Sequence, residues 1–155
     1  MKNIIGGIVC VLFALVPVWG FDNSVEAKNR MLAEIGVHAQ KVQLDAESVS
    51  QHLRAKQIDL AFLKDKINAT GDDISKLQQL VKDFELRNFG LSEQHETDWE
   101  FLKTKVQLLS VFYDSKKEII QADHPQKNKS VLRSNAKALG IRAAKLQETA
   151  SRLQK

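Results

Sequence analysis

The chain contains very little cysteine and proline. Of its 155 residues, one is cysteine and two are proline. Because Cys10 lies in the apolar N-terminal segment, the chain from residue 21 onwards can form no disulfide and no thiolate metal site, and it has no cysteine nucleophile. The prolines are Pro17 and Pro125, and no proline between them forces a helix to kink. The chain after residue 20 must therefore be stabilised by packing alone.

The sequence also lacks the motifs of common enzymatic and metal chemistry. It has no Gly-rich phosphate loop, no nucleophile elbow and no zincin signature. No Glu stands three residues before a His, which is how helical bundles hold two metal ions. Glu34 and His38, four apart, share a helix face, but a single pair does not complete a metal shell. We expect no catalysis, no metal and no cofactor.

The first twenty residues, MKNIIGGIVCVLFALVPVWG, differ in composition from the rest of the chain. Lys2 precedes an uncharged apolar run over residues 4–18, and the small residue Gly20 follows. These are the features of an export signal, so we predict cleavage after Gly20 and a periplasmic or secreted location. The run is shorter than the ~20 residues that span a bilayer, and an uncleaved anchor over residues 4–21 is the alternative. Residues 21–155 would then form one domain.

A long apolar series begins at Val25. Its members alternate three and four residues apart over eight heptads, which predicts a helical seam of coiled-coil type. Three residues interrupt the series: Lys28, Lys56 and Thr70. We expect a first helix over about residues 23–88, continuous or bent, because no residue in it breaks helices strongly. The seam passes Gly71 without a change of phase. A break near residues 45–56 is the alternative.

Two further helices are expected. In the turn NFGLSE, Gly90 is predicted to adopt the left-handed conformation and Ser92 to cap a second helix over about residues 93–123. Four residues beside the main apolar line of that helix predict burial against two neighbours: Phe101, Leu108, Phe112 and Ile119. A third helix, capped by Ser130, is expected over about residues 131–154, where Leu and Ala alternate and permit close backbone approach.

The predicted fold is all-α, an elongated antiparallel bundle or coiled coil of three long helices, or of four if the first breaks. At ~1.5 Å per residue, the helices would be about 100, 45 and 37 Å long. The second and third helices would cover only half of a continuous first helix, so the remainder of its seam predicts self-association with another copy. The residues of this predicted seam are Val25, Leu32, Ile35, Val42, Val49 and Leu53.

Positive charge is concentrated at the C-terminus. Residues 127–155 carry eight Lys or Arg and one acidic residue, a charge of +7, whereas residues 21–126 carry fourteen and eighteen, a charge of −4. Such a basic helix face predicts either a solvated surface or a site for anionic lipid or envelope polymer. The candidate residues are Arg133, Lys137, Arg142, Lys145 and Arg152. Export argues against a nucleic acid partner, as does the absence of aromatic residues after Tyr113.

Two stretches, HAQKVQLDAESVSQHLRAKQI and LKDKINATGDDISKLQQL, resemble uncharacterised exported helical proteins of soil bacteria. The resemblance implies export and a small helical bundle, and it carries over no site residue and no activity. The residues and the resemblance together predict an exported, non-catalytic helical scaffold or protein-interaction module of the cell envelope. The alternative function is binding to an anionic surface through the basic face of the C-terminal helix.

Overall fold

The computed structural model describes residues 23–121 and 128–155, and within these residues every regular element is an α-helix. The helices are α1 (Val25–His52), α2 (Leu60–Arg87), α3 (Glu93–Gln121) and α4 (Lys129–Leu153). The prediction of an all-α helical bundle is confirmed. The predicted export signal, its cleavage site and the alternative membrane anchor lie outside the described residues.

The prediction of one long first helix is wrong, because the chain turns back between α1 and α2. Leu53 follows the last residue of α1, and Asp59 caps α2 through its carboxylate, which accepts a hydrogen bond from the Phe62 N–H at 3.1 Å. The Asp59 N–H in turn donates to His52 Nε2 at 2.8 Å. From α4, Lys129 Nζ donates to the carbonyl of Ala55. Side-chain and long-range contacts therefore fix a turn that contains neither Gly nor Pro.

Burial of aliphatic side chains explains why the turn is stable. A cluster of buried residues from three helices surrounds it: Val49, Leu53, Leu63, Ile67, Leu132 and Ala136. Burying one Val, Leu or Ile side chain stabilises the fold by about 1.5–3 kcal/mol, whereas one backbone hydrogen bond contributes only about 0.5–1.5 kcal/mol net. Folding α2 back on α1 therefore gains more free energy from side-chain burial than the turn loses in helical hydrogen bonds.

The four helices form an antiparallel bundle in which neighbours in sequence are neighbours in space. Helix α1 packs against α2 and α4, and α3 packs against the same two helices, so α1 and α3 lie diagonally. An ion pair joins Lys66 to Asp45 across α1 and α2 at 2.9 Å, and another joins Arg152 to Asp98 across α3 and α4 at 3.2 Å. With 28, 28, 29 and 25 residues, the helices match in length, so α1 is covered from end to end.

Helices α1 and α4 approach each other closely, as the Leu and Ala alternation predicts. A Cβ atom built on Gly140 would stand 3.6 Å from the Ala46 Cβ and 3.7 Å from the Gln43 carbonyl oxygen. The stripe of α4 that faces inward is largely buried, with Leu132 and Leu153 at its two ends completely enclosed. Small side chains therefore bring the two backbones together while the leucines fill the core.

Two turn predictions are wrong and two are confirmed. Asn88, not Gly90, adopts the left-handed conformation after α2, with φ 50° and ψ 52°. Asn tolerates this region better than most residues because its short side chain bonds locally. Ser130 lies inside α4, which begins one residue earlier, so it is not the cap. Ser92 does precede α3, where its Oγ accepts from the His95 N–H at 3.4 Å, and α2 continues through Gly71.

Candidate interaction surface on helix α3

The predicted self-association seam on α1 is covered by the chain itself. Five of its six residues are almost fully buried in the core between the four helices: Leu32, Ile35, Val42, Val49 and Leu53. Val25, at the start of α1, is the exception and is mostly exposed. Because α2 and α4 cover these residues, the predicted seam is not available to a second copy of the chain.

The five basic residues predicted for anion binding are all exposed on α4, but they do not converge. At ~100° and ~1.5 Å per residue, they spread over half the circumference of the helix and about 28 Å of its length. Arg142 lies against α3, with its guanidinium 4.2 Å from the centre of the Phe112 ring and Nη1 donating to the Ala138 carbonyl at 3.0 Å. Arg152 pairs with Asp98 and, at 3.3 Å, with Glu148.

The polar residues singled out along the sequence form side-chain hydrogen bonds or face solvent. His38 contacts Asp73 of α2 at 2.7 Å instead of sharing a ligand with Glu34. Thr70 is buried and donates its hydroxyl to the Lys66 carbonyl at 2.8 Å, whereas Lys56 is exposed in the turn after α1. Among residues 23–121 and 128–155, no three His, Cys, Asp or Glu side chains stand close enough to hold a metal ion.

The described part of the bundle encloses a small cavity. A cavity of about 30 Å³ lies among all four helices beside Val49, Tyr113 and Asn135. Its size is that of one or two water molecules, but its walls are almost entirely apolar. The Tyr113 hydroxyl donates to the Ile67 carbonyl at 2.9 Å, and burial raises the pKa of Tyr113 above its ordinary value.

A wider cleft of about 350 Å³ opens beside the turn between α2 and α3, next to Trp99. Three of its four charged residues are engaged with one another. Lys103 Nζ lies 2.7 Å from a carboxylate oxygen of Glu100 and 2.7 Å from one of Glu85. Hydrogen bonds to Glu100 and Glu85 raise the pKa of Lys103, so the ammonium is stabilised by both carboxylates. Glu85, Glu100 and Lys103 are therefore paired with one another in the cleft.

Helix α3 presents an uncharged stripe to solvent, which we term the α3 seam. Its residues are spaced alternately three and four apart and are all exposed: Gln94, Thr97, Phe101, Thr104, Leu108, Val111 and Ser115. The exposed fractions of its large apolar members are 43% for Phe101, 50% for Leu108 and 60% for Val111. Contiguous exposed apolar groups of this kind mark interaction sites more often than scattered ones do.

The exposure of Phe101 and Leu108 corrects the prediction that they widen a buried face. Within residues 23–121 and 128–155, helix α3 packs against two other helices, and it faces them through residues such as Leu102 and Leu109, which are fully buried. Phe101 and Leu108 each precede one of these residues and so point about 100° away from the core. Phe112 is partly buried beneath Arg142, and the side chain of Ile119 lies outside the described part of the molecule.

Charged residues flank the α3 seam on both sides. On the α4 side, Lys105 lies 4.8 Å from the centre of the Phe101 ring, and Arg142 and Lys145 of α4 stand beyond it. Asp98 is also on that side, but it is paired with Arg152. On the α2 side, counted at ~100° per residue, three exposed acidic residues lie between the seam and the α2 interface: Glu96, Glu100 and Asp114. Glu100 is paired with Lys103 and Asp114 with Lys117.

Comparison with known proteins identifies no relative: no protein-family model, no curated protein and no solved structure matches the chain. The resemblance to exported helical proteins of soil bacteria and the predicted export therefore stay predictions. None of the helices within the described residues is both long and apolar enough to cross a membrane.

Proposed function

We propose that this chain is an exported, non-catalytic interaction module of the cell envelope that binds a partner protein through the α3 seam. The observation that carries the proposal is the seam itself, in which Phe101, Leu108 and Val111 remain exposed along a stripe without any charge. Burying such side chains against a partner is favourable by about 25 cal/mol per Å² of apolar surface. The export signal predicted over residues 1–20 supports the location.

A comparison with helix α1 supports the choice of α3. Val37 and Leu44 of α1 are as exposed as the apolar residues of the α3 seam, but Lys41 shares their side of the helix. A partner that covers Val37 and Leu44 must therefore also desolvate an ammonium group, which costs free energy unless it is paired. Lys105 stands in the same relation to Phe101 and Leu108, but the α3 seam has Val111 as a third large apolar residue in line with them. The small internal cavity further supports a role at the surface instead of catalysis in the interior.

Site-specific photocrosslinking in the native host tests the proposal. A photoreactive amino acid in place of Leu108 is expected to give a protein adduct of discrete mass. The matched control is the same replacement at Leu44, which is 52% exposed and so presents a comparable surface. An adduct at 108 and none at 44 supports the proposal. Equal crosslinking at both positions, or none at 108, contradicts it.

A second candidate function is binding to an anionic surface through helix α4. Arg133, Lys137 and Lys145 are exposed, and within the described parts of the chain they form no ion pair, so they remain available for phosphate groups. Sedimentation with anionic and neutral vesicles at increasing salt tests this function. Salt-sensitive binding to anionic vesicles that is lost when all three residues are replaced by Gln supports it. Equal weak binding to both kinds of vesicle argues against it.

A further inference from the structure

We infer that the groove between α1 and α4 binds a phosphate group. This inference deepens the second candidate function, in which basic residues of α4 meet an anionic surface, because it names the site and the group that the site takes. The groove has a volume of about 320 Å³, which lies in the range of small-molecule sites. Four of the residues that line it bear on its chemistry: Glu47, Ser50, Arg54 and Lys137.

Ser50 of α1 supplies an unpaired hydrogen-bond donor at the base of the groove. The residue is only 5% exposed, yet its hydroxyl forms no hydrogen bond with any residue that the structure describes. Three other helical serines, Ser48, Ser75 and Ser151, each donate to the carbonyl four residues earlier. The Ser50 oxygen is not sealed from solvent and so opens into the groove. A ligand that accepts from Ser50 therefore makes a hydrogen bond that the fold leaves unmade.

Cations stand at the rim of the groove. Arg54 and Lys137 are exposed, and within the described ranges neither forms an ion pair. Arg133, which is likewise exposed and unpaired there, precedes Lys137 by about one turn of α4. The acidic residue of the lining is Glu47, whose carboxylate accepts from Gln43 Nε2 at 2.9 Å.

The balance of these charges favours an anion. Arg54 and Lys137 contribute two positive charges, against one negative charge on Glu47 and about half a negative charge at the C-terminal end of α1. The groove therefore keeps an excess of about half a positive charge, to which Arg133 adds at the rim. A phosphate group has at least three acceptor oxygens, whereas a carboxylate has two. Only the phosphate can give the Ser50 hydroxyl and both cations an oxygen each.

Titration of residues 21–155 with inorganic phosphate, followed by NMR at constant ionic strength, tests the site. This segment contains the whole described core, which lies between residues 27 and 153. The backbone amide signals of Ser50 and Gly140 are expected to shift and saturate. Ser50→Ala removes the hydroxyl without changing the charge, and Ala favours the helix. It is expected to weaken phosphate binding about tenfold, which corresponds to about 1.4 kcal/mol.

Two lysines of α4 separate a built site from diffuse attraction. Lys137→Gln is expected to weaken phosphate binding. Lys145→Gln, the matched control, removes the same charge about 12 Å further along α4 and outside the groove, and it should leave binding unchanged. Equal weakening by both substitutions, with no effect of Ser50→Ala, would overturn the inference and leave the second candidate function standing.

Substitutions of the other two charged residues of the lining should act in opposite directions. Glu47→Gln removes a repelling charge and is expected to strengthen phosphate binding, whereas Arg54→Gln is expected to weaken it. Phosphate binding that neither substitution changes would contradict a site in this groove.

Sedimentation with vesicles identifies the source of the phosphate. Binding to vesicles that contain phosphatidic acid but not to phosphatidylcholine vesicles, weakened by Ser50→Ala, supports a lipid headgroup. Saturable binding of inorganic phosphate without binding to either vesicle supports a soluble phosphate ester. If neither inorganic phosphate nor phosphatidic acid binds saturably, or if Ser50→Ala binds both as the wild type does, the inference is overturned.

Discussion

Two glycines in the middle of helices should respond in opposite ways to the same substitution. Gly36 of α1 has no other atom within 4 Å of the place where a Cβ would stand, apart from its own helix. At Gly71 of α2, a Cβ would stand 2.5 Å from the Tyr113 hydroxyl oxygen and 3.0 Å from the adjoining ring carbon. We therefore expect Gly36→Ala to stabilise the protein and Gly71→Ala to destabilise it.

The magnitudes follow from the competing effects. Ala is preferred to Gly in a helix by about 1 kcal/mol, and at Gly36 nothing opposes this gain. At Gly71 the new methyl group must displace the Tyr113 ring, which is held by the hydrogen bond from its hydroxyl to the Ile67 carbonyl. Losing that bond costs about 1 kcal/mol, and overpacking costs about 1–3 kcal/mol more. The net destabilisation expected for Gly71→Ala is about 1–3 kcal/mol.

Urea unfolding followed by circular dichroism measures both changes. A double-mutant cycle with Tyr113→Phe isolates the clash, because removing the hydroxyl removes both the closest atom and the bond that holds the ring. In that background, Gly71→Ala is expected to cost about 1 kcal/mol less than in the wild type. If Gly71→Ala stabilised the protein as much as Gly36→Ala, α3 would not pack against α2 at this level, and the packing described here would be wrong.

Three further predictions follow from burial and from the N-terminal composition. Tyr113 is the chain's sole tyrosine, so absorbance at 295 nm should show its titration above pH 10.0, and a midpoint at or below 10.0 would contradict its burial. Because burial raises the pKa of Tyr113, its contribution to stability is present below pH 10 and is lost as the pH rises through the folded-state pKa. Leu146→Ala should destabilise the protein by about 2–5 kcal/mol in urea unfolding, whereas Leu108→Ser should change the stability of the monomer by less than about 0.5 kcal/mol. If the two substitutions lowered the free energy of unfolding by similar amounts, Leu146 would not be more buried than Leu108. Intact mass measurement of the exported protein should give a chain that begins at Phe21, and a mass that includes residues 1–20 would instead support an anchor.

The helical content and most of the core could be predicted because both depend on local periodicity. Leu32, Ile35, Ala39 and Val42 stand three, four and three residues apart, and all four are fully buried. The alternation of Leu with Ala on α4 likewise predicts the close packing observed at Gly140. Such patterns identify which face of a helix is buried, whatever element covers it.

The sequence allowed either three or four helices, and it could not decide between them because the turn after α1 depends on distant contacts. Residues 53–59 contain no helix breaker, and one of the bonds that fix the turn comes from Lys129, 74 residues away from its acceptor Ala55. The exposure of Phe101 and Leu108 follows from the same cause. Their spacing was visible in the sequence, but only the packing of α3 between α2 and α4 shows that they face solvent.

The central claim is that the first apolar series folds back on itself, which buries its seam within one chain and leaves the α3 seam exposed. A distance measurement between spin labels on Glu34→Cys and Gln79→Cys tests this claim directly, because both residues are exposed and residues 21–155 contain no other cysteine. Helices packed about 10 Å apart place the labels on the order of 20 Å from each other. A continuous helix would separate them by about 70 Å, and that result would contradict the account.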